Sequence, residues 1–241
     1  MSRSSLRVAH AADLRLYFVT DSALCGGIDA VPDVVLAAVR GGAGMIQLRD
    51  KQASDADLAE LVEQCRRILA SGLGPRAAQI PLVVNDRLAV AEQTRCHLHV
   101  GQGDASPAQA REVLGAELMI GLSTGTAEQV REALAEGVAD ILGIGPIRAT
   151  ATKTDAAAPL GLDGLAACLA PWKTARGRHP SAAAGLPRTV AIGGLDDTLV
   201  SDVAATGIDG ICVVSAIATA ADPQAAAASL LGAFDHGRGQ R

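Results

Sequence analysis

Short apolar runs alternate with helical stretches along this chain, and almost every residue able to do chemistry sits where a run ends. Seven runs with their endings read MIQLRDK (45–51), PLVVND (81–86), HLHVGQGD (97–104), LMIGLS (118–123), ILGIGPIRATATKTD (141–155), TVAIGG (189–194) and ICVVSA (211–216). An eighth run, 14–20, precedes them and ends in Thr20-Asp21. Runs of this length suit strands buried on both faces, as parallel strands are. Eight strand–helix units predict a single α/β domain, a (β/α)8 TIM barrel. In that fold the C-terminal strand ends form one mouth that carries the site. It would collect Gln47, Arg49, Lys51, Asn85, Asp86, Asp104, Ser123, Thr150, Thr152, Lys153, Gly194 and Ser215.

A doubly wound nucleotide fold would announce itself by GxGxxG or GxxxxGK[ST] after a strand, and neither occurs. The glycines 41, 42 and 44 lie between a helix and a strand, so they read as a helix C-cap and not as a phosphate loop.

The helices are expected over about 30–40, from Ser54 as N-cap to about 69, 87–93, from Ser106-Pro107, from Thr124 or Thr126 to about 136, 162–169, 196–205 and 223–234. The strands are expected at 14–20, 45–48, 82–84, 97–100, 118–122, 141–144, 189–192 and 210–214. The pattern lapses at 173–187, KTARGRHPSAAAGLP, which reads as a surface insertion. Residues 1–13 read as a flexible N-terminus and 235–241 as a frayed tail.

With one Trp, one Tyr and two Phe, aliphatic residues and glycine must fill the interior. The net charge is −5, and no basic block or aromatic-basic interleaving marks a nucleic-acid surface. The five cysteines are scattered without a CxxC pair, which predicts a reduced, cytoplasmic chain without a zinc site. No apolar run reaches the roughly 20 residues that a membrane span needs. Monomer and homo-oligomer both stay open.

Period-two alternation puts Gln47 and Arg49 on one strand face and Leu48 on the other. An Arg fork near a Lys point charge suits a phosphate or pyrophosphate, although an ordinary rim turn with Asp50 paired to Lys51 is the plainer reading. Asp86 and Asp104, at neighbouring strand ends, can converge on Mg²⁺, which takes hard oxygen ligands together with waters and substrate phosphates. Asn85 or Asp86 could instead cap the next helix. His97 and His99 share a strand face, but further metal-ligand partners are lacking, and His99 filling the barrel by a hydrogen bond is the preferred reading. The 150–155 hydroxyls, Gly193-Gly194 and Val214-Ser215 suit a second phosphate, because many barrels bind one between the loops after strands seven and eight. No catalytic Cys/His signature or carboxylate pair for glycoside hydrolysis is present. The residues point to a barrel acting on small phosphorylated substrates.

The chain resembles the thiamine-phosphate synthase (thiamine monophosphate pyrophosphorylase) family. QLRDK at 47–51, VND at 84–86, HVGQGD at 99–104, GLS at 121–123, GPIRATATK at 145–153, AIGG at 191–194 and VVSAI at 213–217 stand in that family's order, covering about 17–231. The resemblance implies a Mg-assisted dissociative substitution that condenses hydroxymethylpyrimidine pyrophosphate with thiazole phosphate to give thiamine monophosphate and pyrophosphate. It implies pyrimidine binding by Gln47, Arg49, Lys51, Asn85, Ser123 and Lys153, with Arg49, Lys51, Ser123 and Lys153 catalytic. It implies Mg²⁺ on Asp86 and Asp104, and thiazole phosphate on Thr150, Thr152, Gly194, Val214 and Ser215. Four features depart from the family pattern: a 94–99 segment one residue short, which could shift Asp104; Gly125 where His is common; Arg148-Ala149 in place of an aromatic-Pro pair; and the 173–187 stretch. A thiazole-tautomerase-like barrel, a non-catalytic precursor-binding barrel and a sugar-phosphate epimerase are the rival readings. The intact QLRDK argues against the first, and the lack of opposed carboxylates or metal histidines argues against the last.

Overall fold

The computed structural model describes residues 4–150, 158–178 and 185–240. Eight parallel strands close into a barrel in sequence order, β1 (Leu16–Val19), β2 (Met45–Leu48), β3 (Leu82–Asn85), β4 (His97–Val100), β5 (Ile120–Thr124), β6 (Ile141–Ile144), β7 (Arg188–Ile192) and β8 (Gly210–Val213). β8 pairs back onto β1, with Tyr17 beside Cys212. Closure leaves no strand edge unpaired. The helices are α1 (Ser4–Ala11), α2 (Val31–Arg40), α3 (Asp55–Leu73), α4 (Leu88–Thr94), α5 (Pro107–Leu114), α6 (Ala127–Glu136), α7 (Gly161–Arg178), α8 (Val200–Ala205), α9 (Ser215–Ala218) and α10 (Pro223–Gly239).

Strand alternation sorts the apolar residues into two cores. Tyr17, Val19, Met45, Val83, Met119, Ile141, Val190 and Cys212 fill the barrel. Leu16, Phe18, Ile46, Leu48, Val84 and Leu98 point outward and pack under the helices. Gln47 is buried with the inner set and Leu48 with the outer, as the period-two reading requires. All four aromatic side chains are buried. Burying each large apolar side chain stabilises the fold by about 1.5–3 kcal/mol.

The caps are written locally. Ser54 accepts from the Asp57 N–H, Ser106 and Gln109 form a reciprocal capping box, and Thr126, not Thr124, caps α6. The 41–44 glycines do end α2, with Gly41 at its C-cap. β5 starts at Ile120, two residues later than the pattern suggests, and α8 starts at Val200 because Asp196 first builds a turn with Thr198.

Three segments expected to be a flexible terminus, a surface insertion and a frayed tail contain helix in their described residues. Residues 4–11 form α1, which closes the base of the barrel and does not behave as a flexible terminus: Ala9 joins the inner core, and Ser5 donates to Asp140 Oδ1 (3.0 Å) and bonds Ala116 O through its N–H (2.8 Å). The expected 173–187 insertion is in part a continuation of α7 to Arg178. Trp172 Nε1 donates to Pro187 O (2.8 Å), tying the two ends together, and Lys173 Nζ to Thr206 O (2.7 Å) at the end of α8; 179–184 lie outside the described residues. The tail is helical to Gly239 because Phe234 and Gly237 pack inward and Asp235 pairs with Arg15 at 2.8 Å. Apolar contacts and ion pairs bridging distant segments override the weak local signal in all three.

Candidate active site at the barrel mouth

The C-terminal ends of β2, β3, β4 and β5 bring the first group together. Gln47 donates from Nε2 to the Tyr17 hydroxyl (2.8 Å), fixing its amide inside the barrel. Burial pushes the Tyr17 phenol well above its ordinary range, so it stays protonated. Arg49 takes its backbone N–H to Thr20 Oγ1 (3.1 Å) and its guanidinium to Asp21 Oδ2 (3.2 Å), which aims the fork from the end of β2 across the end of β1. Lys51 is exposed on the rim. Asp50 is not its partner in the turn: Asp50 Oδ1 accepts from the N–H groups of Gln52 (2.7 Å) and Ala53 (2.9 Å), closing the loop that starts α3.

Asp86 meets the start of α4 through its backbone alone, its carbonyl accepting the Leu88 N–H (3.1 Å). The residue before α4 is Arg87, whose side chain makes no cap bond. Asp86 instead adopts a left-handed backbone (φ 61°), with its N–H bonded to His99 O (2.8 Å). Such a conformation in a non-glycine residue is costly and concentrates at functional sites. Its carboxyl meets that of Asp104. Burial, then the hydrogen bond and charge of Asp104, push Asp86 up to about 6, while Asn85 and Lys51 pull it down. Asp104 is oriented by the Gly101 N–H, which donates to its Oδ2 (2.8 Å). Two carboxylates in contact must share a proton or a cation. A hard divalent ion, with waters and phosphate oxygens completing its sphere, fits this donor set. No cluster of three or more metal-ligating residues exists among the described residues.

The shortened 94–99 segment leaves β4 in register with its neighbours. Arg95 ends α4 in the left-handed conformation (φ 53°) that glycine usually supplies, and β4 then runs in register with β3 and β5.

Ser123 is held from two sides. His99 Nε2 lies 2.9 Å from its hydroxyl, and Gln102 Nε2 donates to its carbonyl at 2.6 Å. His99 fills the barrel because glycine stands beside it. A Cβ on Gly121 would collide with His99 Nδ1, and one on Gly143 would come within 3.3 Å of Cε1. His97 faces the base, accepting the Met119 N–H at Nδ1 (3.0 Å). The two histidines therefore have separate partners, one at the mouth and one at the base.

The second group sits across the mouth. Gly193 (φ 97°) and Gly194 (φ 65°) end β7, and Val214 leads from β8 into the short helix α9, which begins at Ser215. The stretch after β6 presses against them. Ile147 N–H bonds Ile192 O (2.9 Å) and Arg148 N–H bonds Gly193 O (3.0 Å). A Cβ on Gly194 would stand 2.7 Å from Arg148 Cβ. Thr150 lies at the end of this described stretch, while Thr152 and Lys153 fall outside the described residues. Tyr17, Asp21, Gln102 and Asp196 belong to the frame of this candidate site and were not picked out as site residues. The available signals were the inward parity of Tyr17 on β1, the strand-end position of Asp21 and the place of Gln102 within HVGQGD.

Carboxylates, cations and hydroxyls gathered at one end of a closed eight-stranded parallel barrel define an α/β barrel protein with a candidate site at the C-terminal mouth. Residues 16–217 match the thiamine monophosphate synthase family. The chain belongs to that family. It is 42% identical over 226 residues to thiamine-phosphate synthase of Chloroflexus aurantiacus, covering 93% of this chain and 94% of the relative. It is 41% identical over 221 residues to thiamine-phosphate synthase of Psychrobacter sp., with 90% and 94% covered. It is also 42% identical over 232 residues to the thiamine biosynthesis multifunctional protein ThiED of Corynebacterium efficiens; 94% of this chain is covered, but it spans only 29% of that relative. Among solved structures it is similar to thiamine phosphate pyrophosphorylase from Pyrococcus furiosus, with a TM-score of 0.76, 29% identity and coverage of 95% and 98%. No helix among the described residues is long and apolar enough to cross a membrane, and all five cysteines are free and buried.

Proposed function

We propose that this chain is a thiamine-phosphate synthase that joins hydroxymethylpyrimidine pyrophosphate to thiazole phosphate in the cytoplasm, releasing pyrophosphate. The observation that carries this reading is the meeting of Asp86 and Asp104 beside Lys51, with Arg49 and Gln47 on the neighbouring strand. A tautomerase-like barrel has no use for such a pyrophosphate site.

In the reaction the C–O bond between the pyrimidine methylene and pyrophosphate breaks, and both electrons leave with the pyrophosphate. The aminopyrimidine spreads the positive charge left on carbon. The thiazole nitrogen then forms the C–N bond with its free lone pair, so no general base is required. Mg²⁺ on Asp86 and Asp104 would supply charge neutralisation for the pyrophosphate oxygens. Arg49 and Lys51 do the same from the β2 side, and Lys153 is assigned the same task. A preorganised donor of this kind contributes about 3–4 kcal/mol to the barrier reduction. Gln47, held by Tyr17, and Asn85 and Ser123 orient the pyrimidine. Thr150, Thr152, Gly194, Val214 and Ser215 hold the thiazole phosphate, placing the nitrogen for attack.

The experiment is incubation of the purified chain with both substrates and Mg²⁺, following pyrophosphate and thiamine monophosphate together. Equimolar appearance of the two, dependent on both substrates, is expected. Pyrophosphate release without coupled product, or no release at all, overturns the assignment.

A further inference from the structure

Arg148 stands on the stretch after β6, two residues before Thr150, and its guanidinium reaches Asp196 Oδ2 at 2.8 Å on the loop after β7. Asp196 is prepared for it: its other oxygen, Oδ1, is taken by Thr198 Oγ1 (2.6 Å) and Thr198 N–H (3.1 Å). The Thr198 hydroxyl, ahead of Arg148, holds the Asp196 carboxyl below its ordinary range against a small burial cost, so the pair is ionised. The tie runs over Gly193 and Gly194, where the two loops already touch through the Arg148 N–H to Gly193 O bond and where a side chain on Gly194 would strike Arg148. Two backbone bonds and one ion pair join these loops among the described residues, and each side chain of the pair is 48% exposed. An exposed pair is weak and salt-sensitive, so it biases a loop's position without locking it.

We propose that the Arg148–Asp196 pair is a positioning tie for the thiazole-phosphate subsite, holding the stretch that carries Thr150 against the Gly194 loop. This rests on the proposed function for the identity of the ligand. Arg148 acts through the loop and does not contact the phosphate. A loop held for only part of the time binds its ligand more weakly by that fraction, so the tie is read in the affinity for thiazole phosphate and not in the chemical step.

The test has two arms. In the first, without substrate, amide exchange is compared for wild type, Arg148→Gln and Asp196→Asn. Both variants should speed exchange at Ile147 and Arg148 or its replacement, whose N–H groups cross to β7, and leave β1–β5 unchanged. In the second, steady-state kinetics should show the KM for thiazole phosphate raised roughly threefold to fivefold in each variant, with kcat and the pyrimidine KM within twofold. The double variant should be no worse than either single, Arg148→Lys should recover most of the affinity, and Arg148→Asp/Asp196→Arg should recover part of it. Unchanged exchange in both single variants overturns the tie. So does a KM rise in Arg148→Gln that Asp196→Asn does not share, which would make Arg148 a direct phosphate ligand. A wild-type chain with no turnover sinks the proposed function alone, because the exchange arm still decides the tie.

Discussion

The imidazole of His99 on β4 lies 2.9 Å from the hydroxyl of Ser123 on β5, in a space kept open by Gly121 and Gly143. One hydrogen bond thus joins the packing of the barrel to a hydroxyl at its mouth. His99→Ala should lower kcat/KM about tenfold, the cost of freeing the Ser123 rotor. Gly121→Ala should do the same by pushing the ring aside, and should destabilise the fold by about 1–3 kcal/mol through overpacking. The double variant Gly121→Ala/His99→Ala should be more stable than Gly121→Ala alone, because the colliding ring is gone. Urea midpoints on the four proteins check this; simple additivity would show that the collision is relieved elsewhere.

Asp86 and Asp104 should act as one unit toward Mg²⁺. Asp86→Asn and Asp104→Asn should each lower turnover and raise the Mg²⁺ requirement, with the double variant adding little. Excess Mg²⁺ should partly rescue each single variant. Losses that multiply and do not respond to Mg²⁺ would return these aspartates to structural roles.

His97 makes stability depend on pH. Burial lowers it from 6.5 to about 4, with nearby Arg66 adding to the effect and Asp140 opposing it; protonation would also remove the Nδ1 acceptor for the Met119 N–H. The folded pKa lies below the unfolded one, so the unfolded chain binds the extra proton first. His97 therefore makes its full contribution above about 6.5 and loses it as pH falls toward about 4, a loss of up to ~3 kcal/mol. The stability difference between wild type and His97→Gln should change in that window and be flat above it. A pH-independent difference in denaturant titrations would refute the assignment.

Arg95 ends α4 at φ 53° with an exposed side chain. A left-handed residue with a Cβ costs about 1–2 kcal/mol, part of which glycine returns to the unfolded chain as entropy. Arg95→Gly should raise stability by roughly 0.5–1 kcal/mol and leave turnover unchanged. A lower melting temperature would mean that the Arg95 side chain makes a stabilising contact of its own.

Strand positions were legible because period and length are backbone properties. The strands containing Gln47, His99 and Ile144 fall where alternation puts them, and Ser54 and Ser106 cap where their spacing says. Asp86 and Asp104 were legible as a pair because neighbouring parallel strands end at the same level. What escaped was whatever depends on which side chain meets which. Nothing near Tyr17 in sequence points to Gln47, 30 residues away, and Arg148 is 48 residues from Asp196. α1 was read as loose because Ser4–Ala11 has little apolar surface. It is held by Asp140, more than a hundred residues downstream.

That anchoring of α1 has an architectural consequence. Ser5 sits beside Ala116 and Asp140, ahead of β5 and β6, while Asp235 near the end of α10 grips Arg15 ahead of β1. Both ends of the described chain therefore lie at the barrel face opposite the candidate site. The same contacts brace the floor of the barrel from both sides, so the strand starts at the base are pinned by helices while the strand ends at the mouth carry the polar side chains.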